Sequence, residues 1–138
     1  MSVDPVKTPP EGLKVHAYAL PGGFVVWAGK TDEDNDRLSI KIARENDWWF
    51  HVRGMPGSHV VLFVEKGNEP GRETIKAAAA IAAYHSKARE GGMVAVSAVR
   101  AGNVSKPRGA KPGTVSITRE TVLKVRPAIP STPHSTGG

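Results

Sequence analysis

A chain of 138 residues without a cysteine is long enough for one domain around one core, and it excludes disulfides, thiolate metal sites and cysteine nucleophiles. Its 19 Lys and Arg exceed 13 Asp and Glu by a net +6, and the excess is lopsided: residues 1–69 hold 8 basic against 10 acidic side chains, residues 70–138 hold 11 against 3. With no apolar run near the ~20 residues of a membrane span and no export signal in "MSVDPVKTPPEGLK", the expectation is a soluble, cytoplasmic protein whose basic half meets a polyanion.

Residues 1–12 read as a flexible proline-rich lead and 128–138 as a tail too poor in apolar residues to join a core. The folded unit is expected over 13–127. "KVHAYAL" alternates as a strand does, "PGG" turns, and "FVVWAG" returns, which makes a first hairpin. "KTDEDNDRLSIKIAREND" follows as a helix, with Thr31 as N-cap, acids in the first turn and Leu38, Ile42 and Ala43 on one face.

A second hairpin comes from "WWFHV" and "HVVLFV" around "RGMPGS", where Pro56 and Gly57 supply the fixed and the permissive φ of a turn. The Ala-rich run "RETIKAAAAIAAYHSKARE", residues 72–90, predicts the longer helix, stopped by Gly91-Gly92 and thin enough to sit close on a sheet. "MVAVSAVR" is a strand, "AGNVSKPRGAKPG" a basic loop, and "TVSI" and "TVLKVRP" two further strands. Strand pairs separated by two helices, without βαβ alternation, predict a single α+β domain with a largely antiparallel sheet.

Chemistry gathers at two places. His51 and His59 are eight apart, so a pairing whose residue numbers sum to an even value puts both on one face and an odd sum splits them. Sharing a face with Trp49, Arg53 and Leu62, they would form an aromatic and cationic patch suited to a base or phosphate; split, one of them belongs to the core. The other place is the loop, where Arg100, Lys106, Arg108 and Lys111 are spaced by glycine and proline. Lys87 and Arg89 add cations that a helix C-terminus also favours. Trp48, Trp49, Phe50 and Tyr84 are candidate stacking surfaces, with one tryptophan expected to be exposed. Without a third ligand the two histidines make a weak metal site, and neither a metal nor a cofactor is expected.

"NDRLSIKIARENDWWFHVRGMPGSHVVL", "AAAAIAAYHSKAR" and "VSKPRGAKPGTV" resemble, in order and spacing, the NFACT-R domain of the ribosome quality-control and fibronectin-binding-like proteins, over about residues 22–126. The resemblance implies an RNA-binding α+β module acting near tRNA, ribosomal RNA and the large ribosomal subunit. The accompanying NFACT-N, helix-hairpin-helix and coiled-coil regions are not in this sequence, so a free-standing module with a partner protein supplying the rest is the expectation. Trp49, His51, Arg53, Ser58, His59, Arg100, Lys106, Arg108 and Lys111 are the expected RNA contacts. Asp47, Pro56, Gly57 and Gly113 are expected to shape turns, the glycines by conformation. Charge reversal at Lys106 and Lys111 together is expected to abolish RNA affinity and leave the thermal midpoint nearly unchanged. The competing readings are a small RNA-processing hydrolase using His51 and His59 and a protein-interaction module completing a separate NFACT-N-like chain.

Overall fold

The computed structural model describes residues 8–130, so most of the expected lead and tail, 1–7 and 131–138, lies outside the described residues. The first hairpin forms as its alternation predicts, β1 (Val15–Leu20) against β2 (Phe24–Gly29). A capping box closes the next helix: the Thr31 hydroxyl accepts from the Asp34 amide at 3.1 Å, and the Asp34 carboxylate accepts from the Thr31 amide at 3.1 Å. That helix, α1 (Asp32–Asp36), widens into a π-helical segment, Arg37–Ile42, which carries Leu38 into the core.

Strands β3 (Trp48–Val52) and β4 (Val60–Leu62) make the second hairpin, and α2 (Arg72–Tyr84) follows. The chain finishes with β5 (Val94–Arg100), β6 (Val104–Ser105), β7 (Ser116–Ile117) and β8 (Thr121–Val125). Six strands form one sheet in the order β1-β2-β4-β3-β5-β8, every neighbouring pair antiparallel, while β6 and β7 make a small hairpin of their own. This is the expected α+β domain.

Both faces of the sheet are covered, which explains why "FVVWAG" and "VVL" are continuously apolar rather than alternating. On one face Val26, Phe50, Val60, Leu62 and Val96 meet Ala78, Ala79, Ile81, Ala82 and Ala83 of α2. The alanines keep the helix side of this face small, and the large side chains, Phe24, Phe50 and Leu62, come from the sheet. On the other face Trp27, Trp49, Val61 and Val99 pack under Leu38, with Ile42, Val104 and Ile117 at the margin. Leu62 pairs with Trp48 and lies on the α2 face. It therefore does not join Trp49 and the two histidines, because the register that unites those residues sends both Trp48 and Leu62 through the sheet.

The Ala-rich helix ends at Tyr84, short of the expected Glu90. Its continuation is claimed by tertiary pairing. The His85 carbonyl accepts from Ser58 N–H at 3.0 Å and Lys87 N–H donates to the Pro56 carbonyl at 3.4 Å, while locally Ser86 Oγ closes the helix end by donating to Ala83 O at 2.7 Å. Together these hydrogen bonds take the backbone of 85–87 out of the helix and onto the hairpin turn, outweighing local propensity. No helix among the described residues is long and apolar enough to cross a membrane.

Candidate nucleic-acid interface

The β3–β4 register sums to an even number, Trp49 opposite Val61 and Phe50 opposite Val60. One step further, His51 faces His59, and the rings meet edge to face at 5.4 Å. The two imidazoles have different fates. His59 is 3% exposed, and its hydrogen bonds fix its tautomer. The Trp49 indole can only donate and does so to Ser39 Oγ at 2.8 Å. The Ser39 hydroxyl proton then goes to His59 Nδ1 at 2.8 Å, and Nε2–H donates to the Gly113 carbonyl at 3.2 Å. Burial first, and His51 second, lower the His59 pKa to about 4, so the ring stays neutral. It joins three elements: the π-helical segment, the hairpin and the basic loop.

The loop is bound down at the same point. Gly113 N–H donates to Asp36 Oδ1 at 2.9 Å, and a φ of +87° suits glycine there. A Cβ at 113 would also lie 2.9 Å from Asp32 Oδ1. Lys106 Nζ pairs with Asp36 at 2.9 Å and donates to the carbonyls of Thr114, at 2.9 Å, and Lys111. Its charge is spent on holding the loop's shape. Arg108 and Lys111 are exposed and have no ion pair among the described residues.

At the turn, the left-handed position is Gly54, with φ +76°, and not Gly57. Gly57 is required for space instead, because a Cβ would sit 3.0 Å from both Ser86 Cβ and Val52 Cγ1. This close approach brings the end of α2 against the turn. Lys30, Pro56, Ser58, Lys87 and Arg89 line one open concavity of about 360 Å³, where Asp32 is the one carboxylate. Ser58 Oγ is used internally, donating to Gly29 O at 2.8 Å.

Beside the concavity lies a set of rings. His16 and His85 stack at 4.5 Å, Tyr18 Oη and His85 Nε2 share a hydrogen bond of 2.6 Å, and the Arg89 guanidinium sits 4.0 Å over the Tyr84 ring. Burial, then His16 and Arg89, lower the His85 pKa to about 4. Burial, then Lys30, lower that of His16. The local field is positive and faces solvent, since Lys30, Lys87 and Arg89 are all exposed.

Over residues 14–119 the chain matches the family described as the NFACT protein RNA binding domain. It belongs to that family. It is 36% identical to the Rqc2 homolog RqcH of Bacillus subtilis over 88% of this chain and 21% of that protein. With its Streptococcus suis counterpart the identity is 38%, over 79% of this chain and 19% of that protein. Among solved structures, the C-terminal part of the fibronectin/fibrinogen-binding protein from Streptococcus suis superposes with a TM-score of 0.78 at 35% identity, covering 88% of this chain and 49% of that one. The chain thus spans about one fifth of the length of these curated relatives.

In this NFACT RNA-binding domain the residues expected to touch RNA are not all on one surface. Trp49 and His59 are buried and have no open face for a base or phosphate, because the register turns them under Leu38. His51 is half-buried beside them, its pKa lowered mainly by burial. Arg53 is exposed and pairs with Glu120 at 3.6 Å. Arg100 lies at the far end of β5, opposite Trp48, bound to Glu69 at 2.9 Å and stacked 4.4 Å over the Trp48 ring. It does not join the turn. Asp47 is buried and accepts from the amides of Arg44 and Val64, both at 2.8 Å, so it anchors the other end of the hairpin. Of the three tryptophans Trp27 and Trp49 are buried and Trp48 is half-buried.

His16, Tyr18 and Lys30 were missed by sequence reasoning. The alternation of β1 puts His16 and Tyr18 on the face of Leu20, which was a readable signal. That α2 would end beside them was not.

Proposed function

We propose that this domain binds RNA through the end of the sheet where the 56–58 turn, Lys30 and the 85–89 segment meet, with Arg108 and Lys111 extending the same positive surface. One observation carries the reading: Lys30, Lys87 and Arg89 arrive from separated segments at one concavity, and none of them has an ion pair among the described residues. Unpaired cations with space between them suit a phosphate chain, whose condensed counterions they displace. The His16–His85 stack, with His16 exposed and His85 half-buried, offers an unpaired base a flat surface beside those phosphates.

Membership of the RNA-binding family, together with relatives named as Rqc2 homologs, favours tRNA or ribosomal RNA and a role in cytoplasmic ribosome-associated quality control at the large subunit. The remaining four fifths of those relatives would contribute through a partner or through further sequence. His59 argues against the hydrolase reading, because both of its ring nitrogens are held inside the fold and a pKa of about 4 leaves it no proton to give at neutral pH.

Fluorescence anisotropy against labelled tRNA over a salt series, with duplex DNA as control, tests the proposal. The expected isotherm prefers tRNA, and log K falls with log salt with a slope near −3, the release from about four phosphates. Lys87→Glu with Arg89→Glu lowers the affinity at least ~tenfold and flattens that slope by about 1.5. Equal, weak binding to both polymers, or an isotherm indifferent to the double reversal, would overturn it.

A further inference from the structure

On the α2 face, at the opposite end of the sheet from the turn, Trp48, Arg72, Ile75, Lys76, Thr121 and Leu123 line a second cavity of about 400 Å³. Its volume falls within the ~300–1,000 Å³ typical of small-ligand sites. Two observations give it chemistry. Trp48 forms part of the cavity wall, and its indole N–H is buried without a hydrogen-bond partner among the described residues, a costly arrangement that an acceptor in the slot relieves once the ring turns to uncover the N–H. Trp27 has the same orphaned N–H, but its ring is 1% exposed and closed by the edge of Phe63 at 4.8 Å, so no ligand reaches it. Of these two indoles it is that of Trp48 that lines the cavity.

The second observation is charge. Arg72 and Lys76 are exposed, one helical turn apart on α2, with no ion pair among the described residues. The neighbouring Arg100 is neutralised by Glu69 and covers one face of the Trp48 ring, which leaves Arg72 and Lys76 as the free cations at this cavity. Ile75 and Leu123 supply apolar contact, Trp48 a π surface and an unused donor, and Thr121 a hydroxyl. An apolar slot with one buried donor and two cations fits a planar ring that carries an acceptor and is linked to a phosphate.

We infer that this slot takes one unpaired nucleotide of an RNA strand, its base beside Trp48 and its phosphate on Arg72 and Lys76. The inference rests on the RNA-binding reading but concerns a surface separate from the turn, at the other end of β5. An RNA engaging both sites would place a single-stranded nucleotide at the slot and its phosphate chain at the turn.

The test follows the indole N–H resonances of the ¹⁵N-labelled protein during titration with a hexa-adenylate oligoribonucleotide and, separately, with AMP. The Trp48 resonance is expected to move with both while that of Trp27 stays. Arg72→Glu with Lys76→Glu, both at exposed positions, is expected to weaken the hexamer about tenfold. Trp48→Phe, which keeps a ring and removes the donor, weakens it about fivefold. If the hexamer binds and responds to Lys87→Glu with Arg89→Glu but neither the Trp48 resonance nor the Arg72 and Lys76 variant responds, the slot is refuted and the turn surface stands. If the hexamer fails to bind while AMP still moves Trp48 and the charge reversal abolishes that shift, the slot is a mononucleotide site and the RNA occupant is wrong. No movement of Trp48 with either ligand overturns the inference outright.

Discussion

Two histidine clusters occupy the two faces of the sheet, and each holds an imidazole whose pKa is strongly lowered, for different purposes. His59 and His85 both have pKa values lowered to about 4, burial being the largest cause in each. Around His59 every polar atom is answered inside the fold: Ser39, Gly113 and Asn35 take its two ring nitrogens and its amide. Around His85 the neighbours are His16, Arg89 and Tyr18, with solvent beyond them. A depressed pKa therefore does not by itself mark a binding site. What separates scaffold from surface is whether the polar groups nearby still have capacity left.

Of the two clusters, the one around His59 is expected to lose most when its histidine is removed. His59→Ala leaves the Ser39 hydroxyl and the Gly113 carbonyl without their partner and opens a cavity beside Trp49, so a loss of about 3 kcal/mol is expected in urea unfolding. An unchanged midpoint would mean that the buried relay does not stabilise the fold. The same residue sets a pH dependence of nearly equal size. The unfolded imidazole titrates near 6.5 and the folded one at about 4, so below pH 6.5 the unfolded chain takes up the extra proton. The contribution of His59 is intact above pH 6.5 and declines as the pH falls toward 4, by up to about 3 kcal/mol. His85 acts in the same direction and more weakly, since it is half-exposed and better screened. Urea midpoints at several pH values should fall more steeply for the native protein than for His59→Ala; parallel slopes would assign the effect elsewhere.

These clusters were unequally legible. Apolar periodicity, turn residues and the Ala-rich run are local, so the strands, the Thr31 cap and α2 could be read directly. The parity rule reduced the placement of His51 and His59 to two outcomes, but choosing between them needed the register, and their burial needed Leu38 and the π-helical segment above them. His16, Lys30 and Lys87 lie far apart in the chain and meet only because Gly57 lets the 85–87 backbone dock on the turn. A site assembled by one close backbone approach leaves little trace in composition or spacing. The basic loop was legible only in part for a related reason: four cations in a glycine- and proline-rich stretch resemble a phosphate track, yet Lys106 answers Asp36 and Arg100 answers Glu69, while Arg108 and Lys111 stay exposed.

Lys106 and Lys111 sharpen the distinction at a smaller scale. Lys106→Met is expected to lower stability by about 1 kcal/mol, since the pair with Asp36 is about three-quarters buried and two carbonyls lose their donor. Lys111→Met, at an exposed position, should leave the thermal midpoint unchanged and weaken RNA about threefold. The joint charge reversal expected to spare the midpoint should therefore lower it, and the Lys106 half of the pair should account for the drop. Equal midpoints for the two single variants would remove the structural role given to Lys106.

The smallest effect falls on the exposed cluster. His16 is on an edge strand, and its ring touches His85 without burying much area, so His16→Ala should change stability by less than ~0.5 kcal/mol. Its effect should appear on its neighbour. Removing the ring uncovers one face of His85 and deletes a like charge, and both changes favour protonation, so the His85 pKa measured by NMR titration moves up from about 4. If the stack is also a platform for a base, RNA affinity falls several-fold with stability untouched. The His59 cluster cannot give that combination, because any change there that reaches a ligand must first disturb the fold. A His16→Ala protein that loses stability and leaves both the His85 titration and RNA affinity as they were would make the two clusters alike, and the division between scaffold and surface would fail.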